Sequence, residues 1–100
     1  MACFMILVVL FIFAPITQAA DLNAGEQKAA ACAGCHGIDG LSNTPTIPNL
    51  AGQNTEYLKI QLRKFREGSR SNPIMNGMAK TLSDRDIENL AAYFASLNNK

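Results

Sequence analysis

Cys32-Ala33-Gly34-Cys35-His36 is the stretch on which the reading of this chain turns. C-x-x-C-H is the attachment signature for c-type haem: two thiols add across the porphyrin vinyl groups and the adjacent histidine reaches the iron. On a helical turn, two intervening residues set both sulfurs along one haem edge and the next position turns the imidazole under the ring. Small Ala33 and Gly34 let the macrocycle approach the backbone. Three other uses fit less well. A thioredoxin-like pair opens a helix after a strand, whereas this motif closes a helix and no strand pattern precedes it. A structural zinc site needs four ligands, and beyond residue 20 the chain offers two Cys and one His. A disulfide across two residues closes too small a loop to stabilise much and leaves His36 without a role.

Around the motif there is room for one small domain. The chain has 100 residues and a formal net charge of +1, so nothing in its charge balance suits a nucleic-acid partner. Residues 1 to 20 hold no charged side chain and 17 hydrophobic ones, which leaves 31 hydrophobic residues among the other 80. The apolar run from Phe4 to Phe13, followed by Pro15 and by small Ala19 and Ala20 before Asp21, reads as a secretory signal peptide over 1–20 with cleavage near 19/20. Its n-region lacks Lys and Arg. The rival is an uncleaved anchor, but a bilayer span needs roughly 20 apolar residues and this run thins out by Ile16. The domain is then 21–100, with no membrane span in the mature form, and Cys3 departs with the leader. Export places it in the periplasm, or on the membrane if the leader stays.

The domain reads as all-α. Asn23 and Glu26 resemble a capping box, which predicts a first helix over about 24–33. Gly40, Pro45 and Pro48 mark 37–52 as a loop, long enough to need a ligand to organise it. Thr55 caps a second helix with Leu58, Leu62 and Phe65 on one face, ending at Gly68. Ser83 and Asp86 open a third over about 84–97, with Ile87, Leu90, Ala91 and Phe94 on its apolar face. Three helices in about 80 residues lie near the limit where a core needs a staple, and one covalent haem c supplies it.

The sixth iron ligand must come from elsewhere. Met75 and Met78, in a loop containing Pro73 and Gly77 before the last helix, are the two methionines outside the leader, and sequence physics does not choose between them. Lys59, Arg63, Arg66 and Arg70 recur at near-helical spacing. They read as a solvated face partly balanced by Glu56 and Glu67, with Gly68 ending the helix before Arg70, rather than as a docking stripe for an acidic partner.

Together these residues resemble the class I c-type cytochromes, and within them small bacterial monohaem members similar to one half of the tandem dihaem cytochromes. The resemblance covers 21–100. It is carried by Ala24-Gly25 ahead of Cys32, by the haem motif with Gly37, by Ile47-Pro48-Asn49-Leu50-Ala51-Gly52-Gln53, Tyr57-Leu58 and Phe65 with Gly68, by the Met75 loop, and by Leu82-Ser83-Asp84 with Asp86-Ile87 leading into Leu90-Ala91-Ala92-Tyr93-Phe94.

What the resemblance implies is a class I cytochrome c fold of three main helices and loops around the haem. It implies His36 and Met75 as axial ligands, the methionine standing eight residues before the Ser that opens the last helix, with Met78 as a pocket residue. It also implies a backbone carbonyl of Pro48 on the far nitrogen of His36, and Gly25 letting the first helix cross the last against Tyr93 or Phe94. An iron with both axial positions filled leaves one-electron transfer with a positive potential, a carrier rather than an enzyme. Its partners would be respiratory redox proteins meeting a monomer. The alternatives are a haem subunit of a larger redox enzyme, or a ligand-binding or sensor haem with a labile Met.

Overall fold

The computed structural model describes residues 2–12 and 19–98. Residues 2–12 form no helix or strand, and Phe4 to Ile12 stand exposed. Phe13, Pro15 and Ile16, on which part of the leader reading rests, lie outside the described residues. Among the described residues there is no strand, and no helix is long and apolar enough to cross a membrane.

The domain is helical, with more helices than the pattern predicts. The first helical path starts at α1 (Leu22–Ala29), tightens into a 3₁₀ turn (Ala30–Cys32) and ends as the single turn α2 (Ala33–His36). Its N-cap is Asp21, not Asn23: Asp21 Oδ1 accepts from Ala24 N at 3.1 Å. The backbone N–H of Asp21 in turn donates to Asn89 Oδ1 at 2.9 Å, a contact 68 residues away that no local pattern encodes. α3 (Thr55–Glu67) is capped by Asn54, one residue before the expected Thr55, and gives way at Gly68 as predicted. α5 (Asp84–Ser96) opens on the predicted capping box, with Ser83 Oγ taking Asp86 N and Asp86 Oδ2 taking Ser83 N, both at 3.0 Å.

The segment expected to be a loop with the two methionines is a helix, α4 (Pro73–Ala79). Pro73 occupies the first helical position, where a missing N–H and a fixed φ favour the helix, and Asn72 Oδ1 accepts from Ile74 N (3.1 Å) and Met75 N (3.0 Å). Reading Pro and Gly77 as breakers overlooked that position.

The core gathers where α1, α3 and α5 meet. Ala29, Leu58, Leu90, Ala91 and Phe94 form one buried cluster, with Leu50, Leu62 and Leu82 against it. Each fully buried large side chain contributes about 1.5–3 kcal/mol before chain entropy is set against it. α1 crosses α5 at Gly25, where a β-carbon would sit 2.8 Å from Tyr93 Cβ and closer still to the carbonyl oxygen of Asn89. Of the two aromatics expected at this crossing, Tyr93 supplies one of the atoms nearest to Gly25, and Phe94 joins the core cluster with Ala29 of α1.

The cations of α3 do not form a free stripe. Lys59 Nζ reaches Glu56 (2.7 Å) and Glu88 (3.4 Å), Arg63 reaches Glu88 (3.5 Å), and Arg66 reaches Asp84 (2.7 Å) and the Leu82 carbonyl (3.1 Å). Glu56 balances this face as expected. The remaining carboxylates come from α5 rather than from Glu67, and each partly exposed pair contributes only about 0–1 kcal/mol.

Candidate haem site

The helical path that begins at Leu22 delivers the motif to one wall of a cavity of about 740 Å³. α3, α4 and α5 complete the enclosure, with Leu58, Leu62, Phe65, Leu82, Leu90 and Phe94 among its apolar lining. Cys32, His36, Pro48, Met75 and Met78 all border this space; Cys35 is exposed and does not. Burial, and after it the neighbouring Cys35, pushes the Cys32 thiol above its ordinary value, so it rests as a thiol rather than a thiolate.

His36 is the only histidine of the chain and is 7% exposed. Its Nδ1 lies 2.8 Å from the carbonyl oxygen of Pro48. A carbonyl can only accept, so Nδ1 carries the proton and donates; the other ring nitrogen is left as the basic one. The chain can turn away immediately after this ring because Gly37 has φ +86°, with a phantom β-carbon pressed against the Leu41 carbonyl.

The loop that presents Pro48 was expected to need a ligand to organise it, yet it is largely self-tied. The Gly40 carbonyl accepts from Leu50 N (2.8 Å) and Ala51 N (3.1 Å), Asn49 Oδ1 accepts from Ser42 N (2.7 Å), and Gly52 N donates to Phe94 O (2.9 Å). Thr46, Pro48, Asn49 and Leu50 of this loop line the cavity.

Met75 and Met78 stand one turn apart on α4 and share its cavity face; Met75 is half-buried and Met78 is 41% exposed. α4 is held in place by Asn76, a residue the sequence reading passed over. Its Nδ2 donates to the carbonyls of Phe65 and Arg70, each at 2.8 Å, while its Oδ1 accepts from Asn72 N at 2.9 Å. Gln53, Tyr57, Gln61 and Arg70 form a polar side of the cavity, a role that the sequence reading did not give them. The four-residue spacing of Gln53, Tyr57 and Gln61 was a usable signal.

The donor chemistry fits a c-type haem. A large apolar enclosure presents a thiol, an imidazole with one nitrogen engaged by backbone, and two thioether sulfurs, a soft and nitrogenous set suited to iron in a porphyrin. At Gly34 no protein atom lies within 4 Å of a β-carbon position, so the protein's own packing does not demand glycine there.

Comparison with known proteins agrees. The family profile for cytochrome c matches residues 22–98. The chain is 47% identical over 78 residues to cytochrome c4 of Pseudomonas aeruginosa, covering 78% of this chain and 39% of that protein. It is 43% identical over 81 residues to cytochrome c-554(548) of Halomonas halodenitrificans, covering 78% of this chain and 98% of that one. Among solved structures, reduced recombinant cytochrome c4 from Pseudomonas stutzeri superposes with a TM-score of 0.73 at 36% identity, over 80% of this chain and 51% of that chain. The chain therefore spans about two fifths to one half of the cytochrome c4 proteins it matches, and nearly all of the shorter relative. The chain belongs to the cytochrome c family, as an electron-transfer domain of class I fold that binds one covalently attached haem c.

Proposed function

We propose that this protein is a periplasmic one-electron carrier between respiratory redox partners, with haem joined to Cys32 and Cys35 and ligated axially by His36 and Met75. The observation that carries the reading is the part-buried hydrogen bond from the buried His36 ring, at Nδ1, to the Pro48 carbonyl, which fixes the tautomer and the orientation of the ring. Bound in the cavity, haem supplies a one-electron Fe(II)/Fe(III) couple. The chain's residues do the rest. Pro48 holds the proton at Nδ1, the apolar lining excludes water and favours a positive potential, and α4 presents a thioether. Met75 is preferred to Met78 because it is the more buried of the two and stands eight residues before Ser83. Were His36 and Met75 both to hold the iron, no position would be left for a substrate, and the chemistry supplied would be that of a carrier rather than an enzyme.

The leader over 1–20 carries the chain across the inner membrane and is cleaved near 19/20, a reading supported by the exposed apolar side chains from Phe4 to Ile12. The test is spectroscopic. Oxidised holoprotein shows the weak far-red charge-transfer band of sulfur ligation; Met75→Ala abolishes it and Met78→Ala retains it. The reverse pattern overturns the ligand assignment, and intact mass of the exported protein reads haem addition and cleavage together.

A second reading has its own support. The chain is 37% identical over 86 residues to a protein named the cytochrome subunit of sulfide dehydrogenase, from Chlorobaculum tepidum. On that reading this domain passes electrons within an enzyme complex, and copurification with a dehydrogenase subunit identifies it.

A further inference from the structure

Haem brings two propionate carboxylates with it, and the cavity wall has to meet them. Among the described residues, two Lys or Arg side chains border the cavity, Lys28 and Arg70. Lys28 already pairs with Asp86 at 3.4 Å. Among the described residues, Arg70 has no carboxylate within ion-pair distance. Its guanidinium is nevertheless held. Nη1 donates to the neutral amide oxygen Gln61 Oε1 at 2.7 Å, and Cζ lies 4.5 Å from the centre of the Phe65 ring, itself part of the cavity wall. Its backbone is pinned on both sides, with N donating to Lys64 O at 3.2 Å and O accepting from Asn76 Nδ2 at 2.8 Å.

Two rows run along the cavity side of α3. Leu58, Leu62 and Phe65 form an apolar one, and Tyr57 with Gln61 forms a polar one that leads to Arg70. This division matches a haem, whose ring is apolar and whose carboxylates leave from one edge.

We propose that Arg70 is the cationic contact for a haem propionate. The inference deepens the haem reading of the cavity and does not depend on whether Met75 or Met78 ligates iron. The guanidinium fork suits a carboxylate, and stacking on Phe65 orders it before the partner arrives. A propionate left without this partner is an uncompensated anion near the iron and favours Fe(III). Arg70 therefore holds the potential up.

The experiment is a redox titration of holoprotein for wild type, Arg70→Gln, Arg70→Met, Arg70→Lys and Lys59→Gln, with haem attachment verified by mass. Arg70→Gln and Arg70→Met lower the equilibrium constant for reduction by about tenfold, which is about 59 mV for one electron. Arg70→Lys, which keeps the charge, stays within about threefold of wild type. Lys59→Gln removes an equal charge from the neighbouring helix α3, but one already satisfied by Glu56 and Glu88, and it also stays within about threefold. Whichever of Arg70→Gln and Arg70→Met matures decides the matter. A wild-type potential in that variant, whatever its thermal stability, reduces Arg70 to a cap on Phe65 and overturns the proposal. So does an equal fall in Lys59→Gln, which would mean that net charge alone is at work. The far-red sulfur band in the same samples keeps the two readings apart: its absence in wild type sinks the axial assignment while leaving the comparison of potentials intact.

Discussion

α4 and α5 are consecutive helices that open in the same way, each on a side-chain oxygen that caps the first turn, yet they differ in how they are held. α5 carries its instructions locally. Ser83 and Asp86 cap each other, Ile87 is fully buried, and Leu90, Ala91 and Phe94 join a buried cluster with Ala29 of α1 and Leu58 of α3. α4 is seven residues long with one buried residue, Ala79, and is held by amide contacts from Asn72 and Asn76 to its own start and to the end of α3. A helix that carries a candidate iron ligand thus depends on two neutral side chains rather than on burial. Helices this short are marginal on propensity alone, so their position is set by tertiary contacts.

The sharpest way to break the comparison is on the α5 side, at its crossing with α1. Gly25→Ala puts a methyl group into the Asn89 carbonyl and 2.8 Å from Tyr93 Cβ. Both obstacles belong to α5, one of them backbone, so the helices must separate, and denaturant unfolding of the holoprotein should show a loss of about 3 kcal/mol. The sulfur band should survive, because α4 takes no part in that crossing. On the α4 side, Asn76→Ala leaves the carbonyls of Phe65 and Arg70 without this donor and should cost about 2 kcal/mol. Here the spectral signature should move with stability: the far-red band weakens and added imidazole binds Fe(III) more tightly than in wild type. If Asn76→Ala loses stability with an unchanged band and imidazole affinity, α4 is held by more than its amides.

Asn72→Ala is the smaller perturbation of the same helix. It removes one cap oxygen that serves two backbone N–H groups and should cost about 1 kcal/mol in the same unfolding measurement.

The same contrast explains what could be read in advance. The C-x-x-C-H motif was legible because its chemistry is contiguous, with Cys32, Cys35 and His36 inside five residues, and Ser83 with Asp86 announces α5 three residues apart. α3 was legible from the period of Leu58, Leu62 and Phe65. What escaped depends on partners distant in sequence. Asp21 caps α1 with its own N–H satisfied by Asn89, Lys59 and Arg63 find Glu88 on another helix, and Arg70 lies past Gly68 where no helical period reaches it. α4 escaped for a different reason. Pro73 and Gly77 are punctuation in a periodicity count, but Pro at the first helical position after Asn is a start signal, and position rather than composition decides which meaning holds.

The two caps also differ in charge, which yields the smallest and most selective effect. The Asp86 carboxyl is held below its ordinary value of 3.8, first by the Ser83 backbone N–H and then by the Ser83 side chain and Lys28, against a partial opposing effect of burial. A depressed carboxyl contributes stability that is fully present above its unfolded value and is lost as pH falls through the folded one. The α5 cap should therefore weaken in acid below about pH 4, whereas Asn72 does not titrate and the α4 cap should hold constant. Asp86→Asn separates charge from hydrogen bond, because an amide oxygen can still accept from Ser83 N while the attraction to Lys28, 3.4 Å away, is gone. Denaturant unfolding at pH 7 should show a loss of about 0.5 kcal/mol. Between pH 5 and pH 2.5 the variant should lose less stability than wild type, so that the two curves converge in acid. Parallel curves across that range would mean that the α5 cap works through geometry alone, as the α4 cap does.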